Sequence, residues 1–152
     1  SMNIFYLDKD PVIAAQYLYN KHVCKMILES AQMLCTAHHH FDNGHNVPYK
    51  KAYYNHPSTK WVRENTKHYY WLYEHFVAIA DEYHKRYNRV HLTYVKCLMP
   101  LYFAPKGMPT KDFVQPPQAM PDMYKDKCSI KAYWNYYIGD KHRIATKQEN
   151  TY

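Results

Sequence analysis

Polar residues interrupt the segment NKHVCKMILESAQMLCTAH, Asn20 to His38, with a helical rhythm. His22, Lys25, Glu29, Gln32 and Thr36 recur at steps of three and four, which puts them on one narrow stripe of a helix. Around the rest of the circumference stand Val23, Cys24, Met26, Ile27, Leu28, Ala31, Met33, Leu34 and Cys35. A helix this apolar packs inside a core. An imidazole, a cation, a carboxylate and an amide placed there each need a partner, because burial without one costs several kcal/mol. The stripe therefore has three readings: the wet face of an amphipathic helix, a closed internal network, or one wall of a polar pocket.

The same rhythm predicts the other elements. Asn3 to Leu7 is a short apolar run, read as a strand or an extended lead-in. Asp10-Pro11 is a helix start, with a capping carboxylate and a proline in the first turn, and predicts a helix to Tyr19. Asn20 is the expected cap of the central helix. Asn55-His56-Pro57 opens another helix. Thr66 to Tyr87 repeats Tyr69, Leu72, Tyr73, Phe76, Ile79, Ala80 and Tyr83 at three and four, a long amphipathic helix broken at Asn88. His91 to Leu98 and Ser129 to Ile138 complete the set, the last with Gly139 as its expected cap. Between them, Tyr102 to Lys127 is a proline-rich connection, and residues 38–57 are a loop. The expectation is an all-α fold: a single compact domain, 1–152, of five or six helices with a long proline-rich strap and a frayed tail at 140–152.

Composition adds a direction. The chain has 152 residues, 47% hydrophobic and 22% charged, with a formal charge of +7. Excess cations on a small chain favour nucleic acid, nucleotides or other phosphorylated partners. With 18 Tyr, 5 Phe and 3 Trp, it is rich in rings that stack on bases as well as fill cores. Only 3 Gly are present, and neither a Walker pattern nor a dinucleotide fingerprint occurs. No membrane-length apolar run appears, so no membrane partner is expected. Cys24, Cys35, Cys97 and Cys128 form no CxxC pair and read as reduced core residues of a cytosolic protein. His38, His39, His40 and His45 cluster in or beside the loop, but no carboxylate or cysteine stands at helix-ligand spacing, so no metal is assigned. No cofactor is implied.

The chemistry-bearing candidates follow from these patterns. In a pocket, Lys25 holds a phosphate, Glu29 orients Lys25 or acts as a base, and His22 donates to an oxygen or moves a proton; Gln32 continues that wall. Lys60, Trp61 and Arg63 form a phosphate-and-stacking group, and Gln118 of PPQAMPDMY is placed to read a base edge. The tripeptides His56-Pro57-Ser58 and His91-Leu92-Thr93 are similar to the paired His-x-Ser/Thr units of two-histidine phosphoesterases. That family sets its units on strands, whereas the residues around these two predict helix starts.

Several longer segments carry a family resemblance: MNIFYLDKDP, KHVCKMILESAQMLCTAH, NHPSTKWVRE, PPQAMPDMY and YYIGDK. Together they resemble a family of small phage-encoded proteins, some of whose members bear the label pyrimidine-dimer DNA glycosylase. The resemblance implies a viral protein acting in the cytoplasm of an infected bacterial host; it assigns no catalytic residue. Three functions are compatible with the sequence. The first is a phage protein that binds a phosphate-bearing nucleotide in a basic, aromatic pocket and sequesters a host immune signal, by analogy with small phage proteins that do so, often at a homo-oligomer interface. The second is a glycosylase, lyase or phosphodiesterase acting on DNA or nucleotides, with His22, Lys25 and Glu29 as catalytic candidates. The third is a non-enzymatic DNA binder.

Overall fold

A computed structural model describes residues 2–140. Among the described residues there are six α-helices and no strand: α1 (Pro11–Gln16), α2 (Asn20–His40), α3 (Pro57–Glu64), α4 (Thr66–Tyr87), α5 (Leu92–Cys97) and α6 (Ser129–Gly139). The all-α expectation holds. Residues 141–152 of the expected tail lie outside the described residues. No described helix is long and apolar enough to cross a membrane.

Local chemistry explains most of the helix ends. Asp10 accepts from the Val12 amide at 2.8 Å, with Pro11 in the first turn, which uses one amide that the helix leaves open. Asn65 does the same for α4, accepting from the amides of Lys67 and His68. Asn88 ends α4 in the left-handed conformation, φ 53°, which asparagine tolerates better than most residues. Replacing Asn65 by Ala should cost about 1–2 kcal/mol in urea unfolding, since it also removes the neighbour that meets the buried ring of His68.

Four boundaries differ from the sequence reading. Asn20 does not cap α2; it is the first helical residue, and its side-chain oxygen accepts from Arg86 Nη1 at 3.0 Å. Helix α1 stops at Gln16, three residues early, and α2 continues to His40. Gly139 is the last residue inside α6, with Asp140 at the cap. Its bareness serves packing instead: a Cβ there would stand 2.5 Å from the ring of Tyr124. Only Cys35 and Cys97 are core cysteines; Cys24 and Cys128 are exposed thiols.

Helix α4 packs across α1 and α2, and α3 lies against both α2 and α4. The extended segment Met2–Leu7 is itself buried in the core, so it behaves as a seventh packing element without regular structure. Asn3 ties it in place. Its amide donates to the Ala119 carbonyl at 3.0 Å, and its oxygen accepts from the Tyr133 hydroxyl at 2.7 Å. The strap between α5 and α6 has one 3-10 turn, Asp122–Tyr124. It holds its course by handing backbone groups to side chains: Val114 accepts from Trp61 Nε1 at 2.8 Å and donates to His68 Nε2 at 2.9 Å, and Pro116 accepts from Ser129.

Candidate functional site along helix α2

The stripe on α2 is not a uniform wet face. His22, Glu29 and Thr36 are buried, Gln32 is half-buried, and Lys25 alone is exposed. Its members also divide by role. His22 stacks on Phe5 with ring centroids 4.3 Å apart, and its Nδ1 lies 2.6 Å from the Tyr137 hydroxyl. That imidazole is enclosed by aromatic rings. At the other end, Thr36 Oγ1 donates to the Ala52 carbonyl at 2.9 Å and accepts from the Ala52 amide at 3.0 Å. Thr36 thereby fixes the loop before α3 onto the helix.

Between these ends lies the ion pair. Lys25 Nζ is 3.6 Å from Glu29 Oε2, with side-chain exposures of 47% for the lysine and 11% for the carboxylate. The pair by itself adds little stability. A lysine four residues ahead of a glutamate is the less favourable order along a helix, and such pairs contribute only a few tenths of a kcal/mol. Withdrawing a carboxylate from water costs more than that. Glu29 is thus a carboxylate drawn out of solvent beside a cation that still reaches it. Such an arrangement suits a group that takes a proton or stabilises positive charge on a ligand.

The remaining candidates are placed as follows. His56 and His91 are helix caps: Nδ1 of each accepts from the amide two residues on, Ser58 and Thr93, at 3.1 Å. The repeated His-x-Ser/Thr pattern is thus a helix-start signal here, and burial holds both imidazoles below the ordinary histidine pKa. Changing His91 to Asn, which caps equally well, should leave stability within about 0.5 kcal/mol, whereas Ala should cost about 1 kcal/mol; thermal unfolding checks both. Ser58 is fully buried in the first turn of α3. Trp61 points into the core, stacked on His68 at 4.1 Å, so it does not share a surface with Arg63. Arg63 instead lies over the Tyr54 ring, 3.9 Å from its centroid, and donates to the Tyr54 carbonyl at 2.7 Å. Gln118 uses both ends of its amide inside the strap, on the backbone of Asp126. Most of the α6 aromatics are core: Tyr133, Tyr136 and Tyr137 are buried.

Helical periodicity does not single out Phe5, which encloses His22, or Tyr54, which carries Arg63. The available signal for the second is local: Lys50-Lys51-Ala52-Tyr53-Tyr54 interleaves cations with rings. The clustered histidines are engaged separately. His38 contacts the Tyr69 hydroxyl and the Asn43 amide, His39 the Tyr49 carbonyl, and His40 the Tyr54 hydroxyl.

One comparison with known proteins gives a match. A family model described as "Pyrimidine dimer DNA glycosylase" covers residues 2–94. That span contains the buried N-terminal segment, helices α1 to α4 and every candidate residue except Gln118. No curated protein and no solved structure matches the chain.

Proposed function

The chain belongs to the pyrimidine dimer DNA glycosylase family, and from that premise we propose that it cleaves the N-glycosidic bond of a damaged pyrimidine in DNA, at the face of α2 that carries Lys25 and Glu29. The observation that carries this reading is the Glu29 carboxylate, withdrawn from solvent 3.6 Å from an exposed ammonium. In the reaction, water bonds to sugar C1′ as the bond from C1′ to the base nitrogen breaks; that nitrogen keeps the electron pair and is protonated from solvent. Glu29 takes the proton of the attacking water and faces the positive charge that develops on the sugar. Lys25, open to solvent, holds the phosphate beside that sugar. The base must leave the stack to reach a helix face, and a damaged pair gives it up most readily. His22, enclosed by Phe5 and Tyr137, holds the N-terminal segment against α2 and takes no part in proton transfer.

This reading places the work in repair of viral DNA within an infected bacterium, the setting that the resembling segments imply. The same wall would also suit a protein that sequesters a nucleotide signal. Incubation with ultraviolet-irradiated duplex, followed by detection of alkali-sensitive sites, tests the enzymatic reading. Alkali-sensitive sites in irradiated but not in intact duplex support it. Absence of product, together with tight calorimetric binding of cyclic dinucleotides or ADP-ribose derivatives, would replace it with sequestration. Salt-sensitive binding of duplex without product would leave a DNA binder.

A further inference from the structure

The loop before α3 has features that core packing does not require. Tyr53 adopts φ +51° with its side chain 58% exposed. A bulky residue seldom takes the left-handed conformation, and a glycine or asparagine would take it at lower cost. Three anchors hold the loop nonetheless. Thr36 grips Ala52 by both backbone groups, His40 Nδ1 meets the Tyr54 hydroxyl at 2.5 Å, and Arg63 clamps the Tyr54 carbonyl. The Tyr54 ring carries two cations, Arg63 at 3.9 Å and Lys51 Nζ at 5.0 Å. Lys50 and Lys51 are both exposed. An exposed ring is thus presented on a rigid, doubly cationic base.

Its position along α2 matters. Thr36 stands seven residues beyond Glu29, about 10 Å along the helix axis. The loop therefore begins where the polar stripe ends, within one or two nucleotides of the group that faces the sugar.

From this geometry we propose that the Lys50–Tyr54 loop is the DNA-gripping edge of the site: Lys50 and Lys51 neutralise phosphates, and Tyr53 stacks on a base next to the damaged one. The inference rests on the DNA reading above and assigns the partner surface that reading leaves open. Backbone contacts of this kind position the duplex without reading its sequence, and an exposed tyrosine ring stacks on any base.

The test compares binding of a fluorescent, irradiated duplex by the whole protein and four variants across a salt series. Replacing both Lys50 and Lys51 by Ala should make the slope of log affinity against log salt shallower by about 2, near one for each phosphate no longer neutralised. Tyr53→Ala should weaken binding about 5- to 150-fold with an unchanged slope, while Tyr53→Phe, which keeps the ring, retains affinity. The control Lys85→Ala lies elsewhere. Arg86 next to Lys85 bonds Leu18 and Asn20 at the start of α2, roughly 30 Å of helix from His40. That control should leave slope and affinity unchanged. If wild-type protein binds duplex and the Lys50/Lys51 variant keeps its slope, or Tyr53→Ala keeps its affinity, the loop is not the gripping edge and the DNA reading stands. If wild-type protein binds no duplex, both fall. Circular dichroism confirms that each variant is folded.

Discussion

Glu29→Gln should slow glycosidic-bond cleavage in irradiated duplex by about 10²–10⁴-fold, the range spanned by loss of a positioned acid–base group. The substitution keeps size and hydrogen-bonding capacity and removes only the charge. The pair with Lys25 is half-exposed on the lysine side, so its loss should move unfolding in urea by no more than about 1 kcal/mol. Lys25→Ala should act differently. An exposed lysine that holds a phosphate weakens substrate binding when removed, so KM rises while kcat falls less than in Glu29→Gln. Single-turnover kinetics on irradiated duplex, read beside equilibrium unfolding of the same variants, separates these effects. A Glu29→Gln protein that loses stability and keeps its rate would make the pair a structural bridge.

Acid should weaken the fold before its carboxylates titrate. His38 and His75 are buried and neutral, and burial holds both near pKa 4 against an ordinary value of 6.5. His75 keeps Nδ1 on the Pro11 carbonyl at 2.8 Å, and His38 sits between Tyr69 and Asn43. Between pH 6.5 and 4 the unfolded chain binds a proton at each site and the folded chain does not. Stability is therefore full above pH 7, falls as pH drops through that window, and levels off below it. Each site accounts for roughly 3 kcal/mol of the loss. Burial also holds His68 below its ordinary value, which acts in the same direction. Two such sites remove about 6 kcal/mol by pH 4, enough to unfold a domain at the lower end of the typical range of about 5–15 kcal/mol. Urea titrations at pH 7.5, 5.5 and 4.5 measure this; equal stability at all three would contradict the burial of both rings as neutral imidazoles.

Helices α2 and α4 were legible because a periodic apolar face is a property of consecutive residues. The helix starts at Asp10, His56 and His91 were legible for the same reason, since a cap acts within its own turn. What lay beyond the sequence depended on partners far along the chain. Asn20 looks like a cap until Arg86 arrives to claim its side chain. Gly139 looks like a helix terminator until Tyr124 packs on its backbone. Trp61 and Arg63 are two residues apart, yet only the arginine remains near the surface, because Val114 and His68 draw the indole inward. The stripe on α2 was visible in the sequence as a pattern but not as a division of labour. Which of its members meets Phe5, which meets Ala52 and which faces a cation was decided by segments that periodicity does not connect.

The claim at the centre of this account is that the middle of that stripe meets a reacting nucleotide. A crystal structure of the Glu29→Gln protein with a duplex carrying one pyrimidine dimer addresses it most directly. The account predicts sugar C1′ of the extruded nucleotide within roughly 4 Å of the residue 29 side chain, with its phosphate on Lys25 and the strand running toward Tyr53. A duplex seated on another face, leaving residues 25 and 29 untouched, would contradict it.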